Sequence, residues 1–337
     1  MTPASLRVCP ACGAGAEPTD KFCEACGSAF DEDNAAPAVA VCRQCPSGQI
    51  DTDGYCEQCG QRAPSVQDHV EIDLGALVGV SDKGHRHRRN EDAMALTTTQ
   101  TSDGLAAIAV VCDGVSSSER PDEASTVAAD KAVEVLVTAV RAGIASEDAL
   151  LTAALAADSE VRDLAGASEN APATTFVAGV ATAASIAVCW LGDSRAYWLP
   201  ADRSQADRLL TRDDSLAEEL VAAGALAEDE AFASPHAHVI TRWLGADADA
   251  PEPHTALFAP PGPGILLLCS DGLWNYEPAA DGLGRLTVPT ALTDLPGAAS
   301  ALLTFALDAG GQDNITIVLA AVPPSTPEPT SPESVTR

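Results

Sequence analysis

Aromatic residues make up only 4% of this 337-residue chain, with four Trp, three Tyr and six Phe, and there are two Met. Positive charge is also scarce: 19 Lys and Arg stand against 49 Asp and Glu, a net charge of −30. A surface that acidic repels phosphate backbones and anionic lipid, which argues against nucleic acid and membrane as partners. The opening residues, MTPASLRVCPAC, contain no apolar stretch of the kind a secretory signal needs, so a cytoplasmic protein is expected. One uncharged run, residues 171–192, is long enough to cross a bilayer. It is rich in Ala, Thr, Gly and Val, has Gly179 and Thr182 at its middle, and is followed by Asp193 and Arg195. Two buried strands joined by a tight turn account for it better.

Cysteine is plentiful but unevenly placed. Eight of the eleven fall in the first 60 residues, while Cys112, Cys189 and Cys269 lie in apolar runs and read as small core residues. The eight form a repeat: Cys9, Cys12, Cys23 and Cys26 recur 33 positions later as Cys42, Cys45, Cys56 and Cys59. Each unit is C-x2-C, ten residues, C-x2-C. Paired turns of this kind point four thiolates at one tetrahedral ion, so two structural Zn²⁺ are expected. A disulfide framework would need an oxidising compartment, and iron is the less common tenant of repeated four-cysteine ribbons. Four ligands close each site, which makes the ribbons unsuited to catalysis. Residues 1–60 carry Arg7, Lys21 and Arg43 against nine acidic residues, so docking or regulation suits them better than nucleic-acid reading.

The expected organisation is a zinc ribbon at 1–30, a linker at 31–40, a second ribbon at 41–62, a linker at 63–70, one large domain at 71–322 and a disordered tail at 323–337. Within the large domain, helices are expected at 121–143, 146–166 (Ser146 as N-cap), after Asp214, and near 298–307. Strands are expected at 105–112, 175–191, 196–199, 264–270 and 314–322. Helices in pairs and strands in runs indicate the α+β class.

Three aspartates stand at the ends of apolar strands: Asp113 after LAAIAVVC, Asp271 after ILLLCS, and Asp313 before NITIVLAAV. Glu91 and Asp92 precede another apolar run in GHRHRRNEDA. Carboxylates at the ends of core strands are fixed and partly desolvated, which suits hard divalent cations. Any one Asp-Gly pair could be turn chemistry alone.

The ordered stretches NEDA, VVCDG, WLGDSRAYWL, LTRDDSL, VITRWLG, LLLCSDGLW and GGQDNITIV resemble the motifs of the PPM-type (type 2C) metal-dependent serine/threonine protein phosphatases, bacterial members in particular. The resemblance covers about residues 71–322. It implies a sandwich of two antiparallel β-sheets flanked by helix pairs, with two Mn²⁺ or Mg²⁺ ions at one end. It further implies that Asp113 bridges both ions, Gly114 offers a carbonyl to one, and Asp271 and Asp313 ligate the other. Glu91 and Asp92 would hold metal-bound waters, and Asp193 would lie near a third, weaker ion. A hydroxide bridging the metals would attack the phosphorus of phosphoserine or phosphothreonine in line. The implied partners are phosphorylated proteins, including a serine/threonine kinase or its substrates.

The chain departs from the family pattern at several points. His87 stands where many members carry a phosphate-gripping arginine, among Arg86, Arg88 and Arg89. Ser116 and Ser117 replace a glycine pair, and Asp213-Asp214-Ser215 stands for Asp-His-Ser. These departures leave open a second reading, a catalytically weak phosphatase-like scaffold that binds phosphoproteins.

Overall fold

A computed structural model describes residues 65–323, except 103, 167–169, 228–229, 232–233, 235–236 and 238, and before them residues 7–8, 15–16, 45, 49–50, 55–60 and 63. The chain divides into two compact units, Met1–Pro64 and Ser65–Arg337. In the first, β1 (Arg7–Val8) pairs with β2 (Gly15–Ala16), and Ile50 bridges to Cys56. Cys9, Cys12, Cys23, Cys26 and Cys42, the expected linker at 31–40, and the expected tail beyond Pro323 lie outside the described residues.

The second unit is built on two antiparallel sheets. One has the order β11 (Arg208–Leu209), β10 (Arg195–Pro200), β14 (Gly264–Cys269), β15 (Ile315–Val322), β4 (Leu77–Asp82), β3 (His69–Asp73). The other runs β13 (His254–Phe258), β9 (Ile186–Leu191), β8 (Phe176–Ala181), β6 (Gly104–Asp113), β5 (Asp92–Thr101). A short pair, β7 (Ala173–Thr174) and β12 (Leu244–Gly245), lies beside them.

Alternation along the strands decides the layering. In β6, Ala107, Ala109 and Val111 meet Leu266, Leu268, Val318 and Ala320 of the facing sheet. The intervening Ile108, Val110 and Cys112 pack under α1 (Pro121–Arg141) and α2 (Ser146–Asp163). In β14, Ile265, Leu267 and Cys269 turn the other way, under α5 (Ala280–Ala291) and α6 (Leu295–Ala309). Helix pairs thus cover both outer faces, and a short α3 (Leu216–Ala222), capped by Ser215, follows Asp214. Central strands are buried on both sides, which is why they read as unbroken apolar runs.

The uncharged run at 171–192 is β8 and β9, paired antiparallel and joined by a turn in which the Thr182 amide donates to the Ser185 carbonyl at 2.9 Å. Among the described residues, no helix is long and apolar enough to cross a membrane. Cys112, Cys189 and Cys269 are buried, and burial pushes the Cys189 thiol up to about 12, so these are inert core groups.

Three local expectations differ from the structure. Ser146 is the first residue of α2 rather than its cap; Ala145 holds that position without a side-chain bond. The sheet begins two residues before 71, because Ser65 caps a 3₁₀ turn (Val66–Asp68) that leads into β3 at His69. Helix α5 was not expected: Gly282, Gly284 and Pro289 weaken its local signal, while Leu283 and Val288 secure it by burial.

Candidate active site

Strands β6, β9 and β14 end, and β5 and β15 begin, at one end of the sandwich. Asp92 opens β5 and Asp113 closes β6, and the register makes them direct cross-strand partners. The Asp113 amide donates to Thr175 Oγ1 at 3.1 Å, and its carbonyl accepts from Thr174 Oγ1 at 2.9 Å and the Thr175 amide at 2.8 Å. Asp193 follows β9, its carbonyl accepting from Trp274 Nε1 at 2.9 Å. Asp271 opens α4 (Asp271–Trp274) directly after β14, where Asn275 Nδ2 donates to Asp271 Oδ2 at 3.0 Å. Asp313 precedes β15, and the Asn314 amide donates to Asp313 Oδ1 at 2.8 Å.

These five carboxylates share one electrostatic field. Burial first, then the charges of Asp92, Asp271, Asp193 and Asp313, hold the Asp113 carboxyl well above the usual range. Burial and the charges of Asp193, Asp313 and Asp92 do the same to Asp271. Burial raises Asp92 to about 6, although Ser270 Oγ donates to its Oδ2 at 2.8 Å. Asp193 rises to about 7 through burial and the neighbouring Asp213. Two buried oxygens, Asp92 Oδ1 and Asp271 Oδ1, have no hydrogen-bond partner among the described residues.

Orphaned, mutually repelling carboxylate oxygens are unfavourable as they stand, and hard divalent cations would satisfy them. The residues therefore fit such ions. The carboxylates do not form a tight cage: among the described residues, the group with three ligand atoms within 4.8 Å of one another is a set of thiols. Wider spacing suits a cation that keeps several of its waters, as Mg²⁺ does.

Two glycines are needed where chain segments close on this end. The Gly114 amide donates to the Glu91 carbonyl at 3.1 Å, and a Cβ there would lie 2.3 Å from the Pro121 carbonyl oxygen. Gly84 has φ +71°, and a Cβ would lie 2.1 Å from the Asp313 carbonyl oxygen. Gly84 thus lets the loop carrying His87 and Glu91 lie against Asp313.

Asn314 staples that loop. Its Nδ2 donates to the carbonyls of Lys83 (2.8 Å) and Arg89 (3.1 Å), and its Oδ1 accepts from the Glu91 amide at 2.8 Å. Glu91 is held from two sides, by Arg89 Nε at 3.0 Å and Ser116 Oγ at 2.5 Å. Arg89 also pairs with Asp122 at 3.2 Å. His87 Nε2 lies 3.1 Å from Asp313 Oδ1, and its Nδ1 lies 3.9 Å from Glu91 Oε2. Behind the carboxylates, Arg195 makes a fork to Asp213 (Nη2–Oδ2 2.7 Å) and stacks on the Trp274 ring at 3.7 Å.

Sequence reasoning singled out His87, Glu91, Asp92, Asp113, Gly114, Asp193, Asp271 and Asp313, and the fold gathers them at one end. It missed Asn314, Ser270, Thr175 and the Arg195–Asp213 pair. Asn314 and Arg195 stand inside the quoted motifs, next to predicted acids, and that adjacency was the available signal.

In the first unit, ligand atoms of Cys45, Cys56 and Cys59 lie within 4.8 Å of one another, with Sγ of Cys45 and Cys56 3.1 Å apart. The hydrogen bond from Cys45 lowers the Cys56 thiol to about 6, which favours a thiolate.

The chain is similar to known proteins over this second unit. The serine/threonine phosphatase stp of Listeria innocua is 34% identical over 150 residues, 44% of this chain and 57% of that protein. The chain thus spans little more than half the length of the curated relatives it matches. The crystal structure of the serine/threonine phosphatase Stp1 from Staphylococcus aureus superposes with a TM-score of 0.62 at 25% identity, over 77% of this chain and 99% of that one. The catalytic domain of the phosphatase PstP, solved with 2 manganese ions, shares the fold with a TM-score of 0.59 at 24% identity, covering 73% and 97%. Residues 82–288, which take in Asp92, Asp113, Asp193 and Asp271, match the family profile described as protein phosphatase 2C, and the chain belongs to that family.

Proposed function

We propose that this protein is a metal-dependent serine/threonine protein phosphatase acting on phosphoserine and phosphothreonine side chains of other proteins. The observation that carries the reading is the convergence of Asp92, Asp113, Asp193, Asp271 and Asp313, with buried oxygens of Asp92 and Asp271 left unpartnered.

Asp113 is the residue proposed to touch two Mn²⁺ or Mg²⁺ ions, because it feels the charge of all four other aspartates. Asp271 and Asp313 would ligate one ion and the Gly114 carbonyl the other, with Asp193 toward a third, weaker site. The cations would supply Lewis-acid activation of water and charge compensation at the phosphoryl oxygens. Glu91 and Asp92 would orient that water, Glu91 being fixed by Arg89 and Ser116, and Asp92 by Ser270. His87, whose Nε2 lies 3.1 Å from Asp313 Oδ1, would donate to the substrate phosphate. The attack needs no side-chain nucleophile, and buried Cys112, Cys189 and Cys269 could not serve as one.

Cys45, Cys56 and Cys59, completed by Cys42, would hold one structural Zn²⁺, and Cys9, Cys12, Cys23 and Cys26 a second. The ribbons would dock or regulate. Reduced core thiols suit a cytoplasmic setting, where kinases and their substrates would be the partners. Hydrolysis of a phosphothreonine peptide with and without Mn²⁺ tests the proposal: turnover that persists in chelator, or never appears, overturns it.

A further inference from the structure

The two main sheets differ by one strand, six against five, and the place left over lies beside β5. Gly79 of β4 lies against that strand: a Cβ there would be 2.6 Å from side-chain atoms of both Met94 and Leu96. β4 thus faces β5, and its neighbour β3 extends past the edge of the second sheet. Val70 and Ile72 of β3 are register partners of Ser81 and Gly79, so they point to the same side as Gly79. Both are half-buried, and no strand of the second sheet lies across from them. A groove of about 140 Å³ opens there, with Val70 and Ser81 on one wall, Thr126 and Asp130 of α1 on the other, and Asp92 and Met94 of β5 along its side.

The open edge of β5 carries free main-chain groups. The Asp113 amide and carbonyl are engaged with Thr175, on the side of β6 away from β5. Asp92 and Asp113 are therefore register partners that exchange no main-chain bond, and alternation turns the N–H and C=O of Met94, Leu96, Thr98 and Gln100 outward. Among the described residues, the one bond to these groups is a long one of 3.4 Å from Thr97 Oγ1 to the Thr98 carbonyl. Edge strands are ordinarily closed to other chains by a bulge, a proline or a charge. β5 pairs with β6 over ten residues without a bulge, and after Asp92 it has neither proline nor charge.

The charged residues lining the groove are all acidic: Asp92, Asp122 and Asp130. Asp122 is paired with Arg89, whereas the exposed Asp130 has no partner among the described residues. A second copy of this chain, at net charge −30, is repelled from such a groove, and a lysine or arginine is drawn to it. An unguarded edge that starts at a site carboxylate is also placed to take up the polypeptide that carries the phosphate. Resting on the phosphatase reading above, we propose that β5 binds an extended segment of the phosphoprotein substrate as a sixth strand, with the phosphorylated residue at the Asp92 end. Side chains of that segment alternate, apolar ones on Val70 and Ile72 and basic ones toward Asp130. From Asp92 to Thr98 the edge runs about 20 Å, so about six flanking residues span it.

The test compares, on the full chain with Mn²⁺, a minimal phosphothreonine peptide with peptides extended on either side by Lys-Val repeats. One extension should lower KM about tenfold with kcat unchanged. N-methylation of alternate residues in that extension should abolish the gain for one set and spare it for the other, because only one set donates to β5. Thr98→Pro removes an outward N–H and no bond to β6, so it should keep turnover of the minimal peptide and lose the gain. Asp130→Lys should shift the preference to Glu-Val repeats. If Thr98→Pro does not fold, the N-methylated peptides decide alone. A KM indifferent to both extensions overturns the proposal, as does a gain that responds alike to the two N-methyl sets. It fails equally if the chain is a dimer that Thr98→Pro splits, since a second copy then holds the edge. If the minimal peptide is not hydrolysed at all, the phosphatase reading fails instead, and fluorescence anisotropy of the dye-tagged, unphosphorylated extension judges the edge by the same variants.

Discussion

Asp92 and Asp113 face each other as register partners across β5 and β6, so a buried and a half-buried carboxylate are fixed side by side by main-chain pairing rather than by side-chain choice. Neither can move away without breaking the sheet. This enforced repulsion makes the site unfavourable when empty and receptive to cations, and it links stability to catalysis in opposite senses.

Replacing Asp113 by Asn removes one of the mutually repelling charges while keeping the shape. The metal-free variant should melt higher than metal-free wild type by about 2–4 °C, what roughly 1 kcal/mol is worth in a domain of this size. Its Mn²⁺-dependent turnover of an aryl phosphate should fall at least about a hundredfold. A variant that is less stable and still active would contradict both halves.

The same repulsion sets a pH dependence. Asp92 is raised to about 6 and Asp193 to about 7, above the ordinary carboxylate value that the unfolded chain has. The folded state therefore binds these protons more tightly. The stability they contribute is complete below about pH 4 and is lost as pH rises through 6 and 7. In chelator, the melting temperature should fall across that window. Protons and cations compete for the same oxygens, so stabilisation by Mn²⁺ should grow over the same range. A melting temperature indifferent to both would rule out carboxylates as the cation site.

His87 faces Asp313, at 3.1 Å, and a cation would use the same carboxylate. His87→Ala should therefore lower the Mn²⁺ concentration needed for half-activation. If His87 also grips phosphate, KM for a phosphothreonine peptide should rise about fivefold to thirtyfold, and His87→Arg should restore it. An unchanged KM with easier Mn²⁺ loading would reduce His87 to a positioning residue for Asp313.

The strand-end aspartates were legible because the sandwich buries its central strands on both faces. Apolar runs such as LAAIAVVC then end abruptly at a charge, as at Asp113. The 3.6-residue period showed α1 for a similar reason, since one face packs on the sheet. Partnerships across long sequence separations were not legible. Ser116 reads as a departure from the family's glycine, yet it donates to Glu91, 25 residues away. Asn314 secures a loop more than 220 residues earlier. Such bonds depend on which strands become neighbours, and no local period encodes that. Edge strand β13 and Thr-rich β5 were faint because their outward residues carry no apolar pattern.

Arg195 and Asp213 give the sharpest stability test, because they form a buried fork beside the carboxylates without belonging to them. Both are under one-tenth exposed, and the guanidinium also stacks on Trp274, whose indole N–H holds the Asp193 carbonyl. Arg195→Met keeps the apolar stem but takes the guanidinium fork away from the Asp213 charge, which Asp193 feels. Breaking a buried pair from one side typically costs about 3–5 kcal/mol, and the loss should appear as a lower denaturation midpoint with an unchanged slope. Adding Asp213→Asn removes the charge that lost its fork, so the double variant should recover most of that stability. Arg195→Lys should recover less, since a point charge cannot reproduce the planar fork or the stack. Catalysis separates the two roles. If the pair only supports Trp274 and Asp193, the double variant should regain Mn²⁺-dependent turnover along with its stability. A double variant that folds as wild type yet stays inactive would mean that the guanidinium itself serves the reaction.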